Sequence, residues 1–141
     1  MFDRSLGTNL WKVPTFKYGT HVKVTCPERA ILEHLTSRWG VLVLSALHEV
    51  GGGTLRFSEL RRGIGDVSEK MLTQTLRTLE RDGFVHRRAR PVIPPHVDYG
   101  LTALGEQAAH RVRALSEWVG EHVADVAVAR HSYDTPALPG G

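Results

Sequence analysis

The stretch SEKMLTQTLRTLERDG, residues 68–83, decides the fold predicted for this chain. Ser68 is a favourable N-cap residue and Gly83 suits a left-handed C-terminal cap, so the stretch predicts one helix with defined ends. Apolar side chains repeat at helical spacing on one side of this helix: Met71, Leu72, Leu76 and Leu79. Polar and basic side chains occupy the opposite side: Lys70, Thr73, Gln74, Arg77 and Arg81. One side is therefore expected in a core and the other at the surface.

Three helices and a strand are predicted before Ser68. In chain order they are a helix from Pro27 with Cys26 at its N-cap, a helix from near Ser37, a strand Thr54–Phe57, and a brief helix Glu59–Arg62 capped by Ser58. The apolar face of the first helix consists of Ile31, Leu32 and Leu35. The second helix has a longer stripe that is expected to face the core: Trp39, Leu42, Val43, Ala46, Leu47 and Val50. Glycines end the second helix and separate the brief helix from Ser68, as expected for turns.

A hairpin and a long helix are predicted after Gly83. Two strands, Phe84–Arg90 and Val97–Leu101, flank a segment with three prolines, Pro91 to Pro95. Because proline cannot donate to a strand ladder, this segment is expected to form the loop of the hairpin. Thr102 is expected to cap a helix that reaches about Val128 and carries an apolar side: Leu104, Ala108, Val112, Leu115, Val119 and Val126.

The order helix, helix, strand, helix, helix, hairpin is the winged helix-turn-helix arrangement. The predicted fold class is mainly α (α+β), a winged helix-turn-helix with a long C-terminal dimerisation helix. Four regions follow: an N-terminal extension over 1–25 that packs on the dimer, a DNA-binding domain over 26–101, a dimerisation helix over 102–130, and a flexible tail over 131–141. The apolar side of the last helix, with Trp118, is too wide for a lone helix at a domain's rim, which favours a homodimer over packing on its own core.

Positive charge is concentrated in the middle of the chain. The 141 residues carry a net charge of +3, yet nine of the 18 Lys and Arg residues lie between Arg56 and Arg90. Glutamine can pair with adenine and arginine with guanine in the major groove, and a basic hairpin can contact phosphates or the minor groove. The recognition-helix candidates are Ser68, Lys70, Thr73, Gln74 and Arg77. The candidates in the wing and its flank are Arg56, Ser58, Arg87, Arg88, Arg90 and His96.

Two segments resemble the HxlR-type winged-helix family. They are CPERAILEHLTSRWGVLVLSAL, from Cys26, and LRFSELRRGIGDVSEKMLTQTLRTLERDGFVHRRARPVIPPHVDYGLTALG, from Leu55, and the resemblance runs to about Trp118. It implies a dimeric regulator with a recognition helix over Ser68–Asp82, a wing over Arg87–Tyr99, and groove-facing Lys70, Thr73, Gln74 and Arg77. The family includes sensors of oxidants and electrophiles that use a cysteine near the first helix. The longer N-terminal extension and the glycines at 51–53 depart from the family's pattern.

The single cysteine, Cys26, admits two interpretations. At a helix N-terminus the helix dipole stabilises a thiolate, so Cys26 is a candidate redox or electrophile sensor. The alternative is an inert cysteine that caps and packs. One cysteine also forms no intrachain disulfide, which together with the absence of a long apolar run predicts a cytoplasmic protein with no membrane partner.

The predicted function is that of a transcription regulator that binds double-stranded DNA as a homodimer on a near-palindromic operator, with a small-molecule inducer as a further partner. The alternative is a winged-helix module whose basic face binds an acidic protein. The eight histidines lack metal-ligand spacing, and no phosphate-binding or nucleophile motif is visible. No enzyme activity, catalytic residue, metal or cofactor is therefore predicted.

Overall fold

The structure, a computed structural model, describes residues 27–136. The predicted N-terminal extension and Cys26 lie outside the described residues, as do residues 137–141. The elements in chain order are α1 (Pro27–Thr36), α2 (Arg38–Glu49), β1 (Leu55–Arg56), α3 (Phe57–Ile64), α4 (Glu69–Arg81), β2 (Val85–Arg90), β3 (His96–Leu101) and α5 (Ala103–Asp134). The predicted order of elements and the mainly helical winged helix-turn-helix fold are confirmed.

The core forms where α2, α3 and α4 meet the first turns of α5 and the sheet. Its fully buried large side chains are Val43, Leu44, Leu47, Leu60, Leu72, Leu76, Leu79 and Val85. The α2 stripe differs from the prediction, because Leu42 and Val50 are exposed whereas Leu44 is buried. The buried residues of α2 keep helical spacing: Gly40, Val43, Leu44 and Leu47. They lie on a face that is rotated from the predicted one, because α2 packs against both α4 and α5.

The first helix contributes little to the core. No residue of α1 is buried, and Ile31 and Leu32, predicted as part of its apolar face, are exposed. Leu35 is partly buried against the core. Part of the apolar face, Ile31 and Leu32, is therefore left exposed, because α1 lies at the edge of the domain and packs chiefly on α2.

The helix α3 begins earlier than predicted. The N-cap residue is Arg56, and its backbone N–H donates to Glu59 Oε1 at 2.8 Å. Ser58 therefore lies within the first turn and is not the N-cap, and Phe57 belongs to the helix instead of the strand. Glu59 thus satisfies the backbone N–H of the N-cap residue itself, as the glutamate of a capping box does.

The sheet has three antiparallel strands in the order β1-β3-β2. The hairpin of β2 and β3 runs in register from Val85 opposite Leu101 to Arg90 opposite His96. The strand β1 adds Arg56 opposite Asp98. The predicted hairpin with its loop of prolines is confirmed, and β3 begins one residue earlier, at His96.

The helix α5 is longer than predicted. Thr102 caps it as expected, with Thr102 Oγ1 accepting from Gly105 N at 2.9 Å, but the helix continues to Asp134. Residues 131–134 of the predicted tail are therefore helical, because neither proline nor glycine occurs between Gly120 and Pro136. Only Gly105, Ala109 and Val112 of α5 are buried.

Candidate nucleic-acid interface

The helix α4 turns one face inward and one outward. Leu72, Leu76 and Leu79 are buried, whereas Met71, predicted to be buried with them, is 41% exposed because it lies at the edge of this row. On the outward face the side chains of Ser68, Lys70, Gln74 and Arg77 are exposed and Thr73 is half-buried. Within residues 27–136, neither Lys70 nor Arg77 takes part in an ion pair. The structure thus brings the five predicted recognition residues to one exposed segment.

The N-terminal end of α4 is held by a cap and an arginine. Ser68 Oγ accepts from Met71 N at 3.0 Å, which confirms the predicted cap. Arg61 of α3 donates from Nε to the Val67 carbonyl at 3.2 Å and from Nη1 to Glu69 Oε2 at 3.1 Å. Arg61 therefore bridges the turn between α3 and α4. Sequence analysis found no role for Arg61, since a contact eight residues along the chain follows no helical period.

The C-terminal end of α4 is joined to both α1 and α5. His34 Nδ1 lies 2.6 Å from Asp82 Oδ2, which links α1 to the residue that follows α4. Gly83 adopts a φ of 86°, as predicted for a left-handed cap, and its carbonyl accepts from Thr102 Oγ1 at 2.6 Å. The helix that presents the basic face is thereby fixed at both ends.

The sheet presents a second basic surface. Side chains alternate between the two faces of a strand, so in this register one face carries Arg56, Arg88, Arg90, His96 and Asp98. We call this the basic sheet face. Its opposite face contributes Leu55, Val85, Tyr99 and Leu101 to the core. Arg87, adjacent to Arg88, lies on that opposite face near its outer end and is exposed.

A buried carboxylate organises the basic sheet face. Asp98 is 6% exposed; its Oδ2 accepts from Arg90 Nε at 2.6 Å and its Oδ1 lies 3.4 Å from His96 Nε2. The hydrogen bond from Arg90 lowers the pKa of Asp98 from its ordinary value of 3.8, and the charges of Arg90, His96 and Arg56 act in the same direction against the effect of burial.

Arg90 and His96 thus have an intramolecular partner that sequence analysis did not include. Both side chains are half-buried on Asp98, whereas Arg88 and Arg56 are exposed. The signal in the sequence was a lone carboxylate within an otherwise basic hairpin, which is a position where an ion pair is expected. Ser58 is exposed in the first turn of α3, on neither of the two basic surfaces.

No group of three or more His, Cys, Asp or Glu side chains within residues 27–136 has an arrangement suited to a metal ion. None of the helices in that range is both long and apolar enough to cross a membrane.

The fold, the helix-turn-helix and the basic hairpin define the winged helix-turn-helix class. The family model of HxlR-like helix-turn-helix proteins matches residues 34–127. The chain belongs to this family and is a helix-turn-helix transcriptional regulator.

Relatives and solved structures agree with this assignment. The chain is 54% identical over 114 residues to the uncharacterized HTH-type transcriptional regulator YtfH of Escherichia coli (strain K12), which covers 81% of this chain and 88% of the relative. The solved structure of ytfH from Salmonella typhimurium has a TM-score of 0.70 at 52% identity and covers 77% of this chain and 95% of that one. The redox regulator HypR in its oxidized form has a TM-score of 0.61 at 33% identity, with 68% and 96% covered.

The substitution Asp98→Asn tests whether the carboxylate stabilises the wing. At neutral pH the variant is expected to have a lower free energy of unfolding than the wild type, because Arg90 loses its charged acceptor. Since the folded-state pKa of Asp98 is lowered, this advantage of the wild type is present above the ordinary value of 3.8 and is lost as the pH falls through the folded-state value. Urea unfolding of both proteins from neutral pH to about pH 2 measures it.

The matched control is Asp125→Asn, since Asp125 is exposed on α5 and makes no ion pair within residues 27–136. Its free energy of unfolding is expected to follow that of the wild type across the pH range. Equal stability of the wild type and Asp98→Asn at neutral pH would contradict the role given to Asp98.

Proposed function

We propose that the protein is a homodimer that binds a near-palindromic operator, with α4 of each subunit in the major groove. The observation that carries the proposal is the outward face of α4, which is exposed, basic and fixed at both ends. A rigid helix can hold its side chains in register with base edges without losing much conformational entropy on binding.

The outward face of α4 supplies groups suited to reading bases. Gln74 can pair with adenine through two hydrogen bonds, and Arg77 can do so with guanine. Thr73 suits the methyl group of thymine, and Lys70, in the first turn, suits a base or a phosphate. Ser68 contributes by fixing the start of the helix and by leaving its N-terminal end open towards a phosphate.

The basic sheet face and the start of α3 supply contacts to the DNA backbone. Arg88 and Arg56 are exposed there, and Arg87 extends the positive charge to the other side of the hairpin. Arg90 and His96 contribute through their contacts with Asp98, which set the shape of the wing, and Ser58 suits a phosphate at the first turn of α3.

The helix α5 supports the homodimer. The face that is buried near its start, at Val112, continues along the helix through Leu115, Val119 and Val126, which are 43–56% exposed. The stripe spans about four turns of the helix. A second copy related by a two-fold axis would cover the same stripe on both subunits. Two copies of α4 could then contact successive turns of one duplex.

The proposal also includes a response of the regulator to oxidants through Cys26. The support is the likeness to HypR, a redox regulator, together with the position of Cys26 directly before α1. The His34–Asp82 contact joins α1 to the end of α4. A displacement of α1 caused by oxidation at its start would therefore also displace the recognition helix α4.

The pair Gln74→Ala and Arg88→Ala tests the two kinds of DNA contact. Gln74→Ala should cost about 1–3 kcal/mol on the operator and relax the preference at one base position, because a base-reading pair is lost. Arg88→Ala should weaken binding to all sequences alike and reduce the slope of log K against log salt by about 1, because a phosphate contact is lost. Titrations of a selected operator and a random duplex at several salt concentrations measure both effects.

A surface that is merely rich in lysine and arginine would not distinguish the operator from random DNA. Binding of the wild type to random DNA is therefore the internal control. Equal affinity of the wild type for the operator and for random DNA would exclude a specific regulator. Absence of binding to either duplex would favour the winged-helix module that binds an acidic protein.

The substitution Val123→Asp tests the dimer. Val123 lies one helical turn after Val119, on the same side of α5. It is 57% exposed in one subunit, so the charge should not unfold the chain, but in a two-fold interface the substitution would bury two carboxylates. Sedimentation is expected to give monomers at concentrations where the wild type is dimeric. The control is Val128→Asp, on the opposite side of α5 from Val119 by helical spacing, which should stay dimeric. A wild type that sediments as a monomer contradicts the proposal.

The substitution Cys26→Ser tests the redox response. Peroxide can oxidise the Cys26 thiolate to a sulfenic acid, and diamide can oxidise two thiols, those of Cys26 in the two subunits or of Cys26 and a small thiol, to one disulfide. Either product is expected to change the operator affinity of the wild type, and a reductant should restore it. Cys26→Ser should bind the operator like the reduced wild type and stay insensitive to the oxidant. An unchanged response in the variant, or none in the wild type, would remove the sensor role.

A further inference from the structure

A groove lies between the end of α1 and one side of α4. Glu33, His34 and Ser37 form one wall, and a row of α4 side chains from Met71 to Thr78 forms the other. The groove has a volume of about 440 Å³, which is within the range of sites that hold small molecules. The space exists because α1 buries none of its residues and packs chiefly on α2. We call it the α1–α4 groove.

The α1–α4 groove adjoins the outward face of α4. Gln74, a candidate for reading a base, is one of the residues that line the groove. By helical spacing Gln74 lies between the outward face and the row of Met71, Thr75 and Thr78. A molecule held in the groove would therefore contact Gln74 and occupy space beside it that DNA needs.

The hydroxyls on the α4 wall present lone pairs to the groove. Thr75 Oγ1 donates its proton to the Met71 carbonyl at 2.8 Å, and Thr78 Oγ1 donates to the Gln74 carbonyl at 3.0 Å. A hydroxyl has one proton and two lone pairs, so each threonine can only accept from a ligand.

The α1 wall is also composed of acceptors. Ser37 Oγ donates its proton to the His34 carbonyl at 3.1 Å. His34 Nδ1 lies 2.6 Å from Asp82 Oδ2, and because a carboxylate only accepts, Nδ1 carries the proton of the neutral ring. This leaves His34 Nε2 as an acceptor. Both walls thus favour a ligand that donates hydrogen bonds.

Glu33 adds a negative charge to the α1 wall. Its side chain is 68% exposed, and Arg29 Nε lies 3.6 Å from its Oε2 in a surface pair one helical turn apart. Such a pair contributes little to stability, so the Glu33 carboxylate can turn to a ligand. No lysine or arginine lines the groove. A phosphate, which is an anion and an acceptor, does not suit it, whereas a cation does.

The remaining surface of the groove is apolar. Met71 is 41% exposed, and the buried Leu79 lies at the base of the α4 wall. Met71 contributes little to the core, and its flexible thioether side chain adapts to apolar groups of different shapes. A ligand that matches the whole groove has both a charged donor and an apolar body.

We propose that the α1–α4 groove binds a small amphipathic organic cation, a protonated amine on an apolar body, which competes with the operator for α4. The ammonium group donates to the Glu33 carboxylate and to the threonine oxygens, and the apolar body covers Met71. The inference rests on the proposed function, because competition requires that α4 binds DNA. It gives the expected small-molecule inducer a site and a chemical class.

The first test measures ligand binding to the full-length protein without DNA. Naphthylmethylamine, which is protonated at neutral pH, is compared by calorimetric titration with the neutral naphthalenemethanol and the anionic naphthoic acid. The amine should bind on the order of fivefold more tightly than the alcohol, because only the amine complements Glu33, and the acid should bind most weakly. Equal binding of the amine and the alcohol, or no binding of the amine, would overturn the inference. Tighter binding of the acid would do the same.

The substitution Glu33→Gln locates the site. It should weaken binding of the amine on the order of fivefold and leave binding of the alcohol unchanged. The matched control is Glu121→Gln, since Glu121 is exposed on α5, outside the groove, and has no ion pair in the part of the chain that the structure describes. This control should bind the amine like the wild type. Equal weakening in both variants would assign the effect to net charge and overturn the site.

The second test adds a selected operator. The apparent Kd of the wild type for the operator should rise by one plus the ratio of the amine concentration to the Kd of the amine, because the two ligands exclude each other. Glu33→Gln should need about five times as much amine for the same rise. An equal response of the variant would show that the amine acts on the DNA, and it would overturn the competition.

The two tests separate the inference from the proposed function. If the wild type binds the amine but no operator, the proposed function fails while the groove remains a ligand site. If the wild type binds the operator but not the amine, the inference alone is overturned. If both bind and the amine leaves the operator affinity unchanged, the groove is not an inducer site and the inference is again overturned.

Discussion

Burial of one row of leucines on α4 is the constraint on which the rest of the interface depends. Leu72, Leu76 and Leu79 are almost completely inaccessible, and each contributes about 1.5–3 kcal/mol when fully buried. An exposed ion pair contributes about 0–1 kcal/mol, so the leucines and not the charges determine the rotation of α4 about its axis. Once that rotation is fixed, Gln74 and Arg77 must face outward. The polar face is therefore a consequence of packing on the opposite side.

Rotation alone does not determine where α4 lies along its axis, and the contacts at its two ends supply that restraint. Arg61 bridges α3 to the first turn of α4, and His34 joins α1 to Asp82. Thr102 connects the cap after α4 to the start of α5 through its bond to the Gly83 carbonyl. Since Thr102 also caps α5, one hydroxyl couples the direction of the long helix to the end of α4. A change in the direction of α5 would therefore move the end of α4.

The sequence predicted those features that depend on neighbours along the chain. The caps at Ser68, Gly83 and Thr102 and the hairpin with its proline loop are local, and each is confirmed. The family resemblance is also confirmed. Features that depend on tertiary neighbours were less predictable. The helix α3 begins directly after Arg56, which pairs with Asp98 of β3, so Ser58 lies inside the helix and is not its cap. The buried face of α2 is set by two packing partners. The pairing of Asp98 with Arg90 and His96 depends on the register of β2 against β3, which cannot be predicted from composition.

In the wing, one buried carboxylate pairs with some of the basic side chains of the sheet face and leaves the others exposed. Arg56, Arg88 and Arg90 share a sheet face with His96, and without a counter-charge the three guanidinium groups would repel one another. Asp98 pairs with Arg90 and His96 and leaves Arg56 and Arg88 exposed. Because Arg90 and His96 are held, they stiffen the hairpin, whereas the exposed Arg56 and Arg88 keep their charge available to a polyanion. An added carboxylate thus increases the order of a basic surface while removing little of its attraction for phosphate, which is what a wing needs if it is to bind DNA in one orientation.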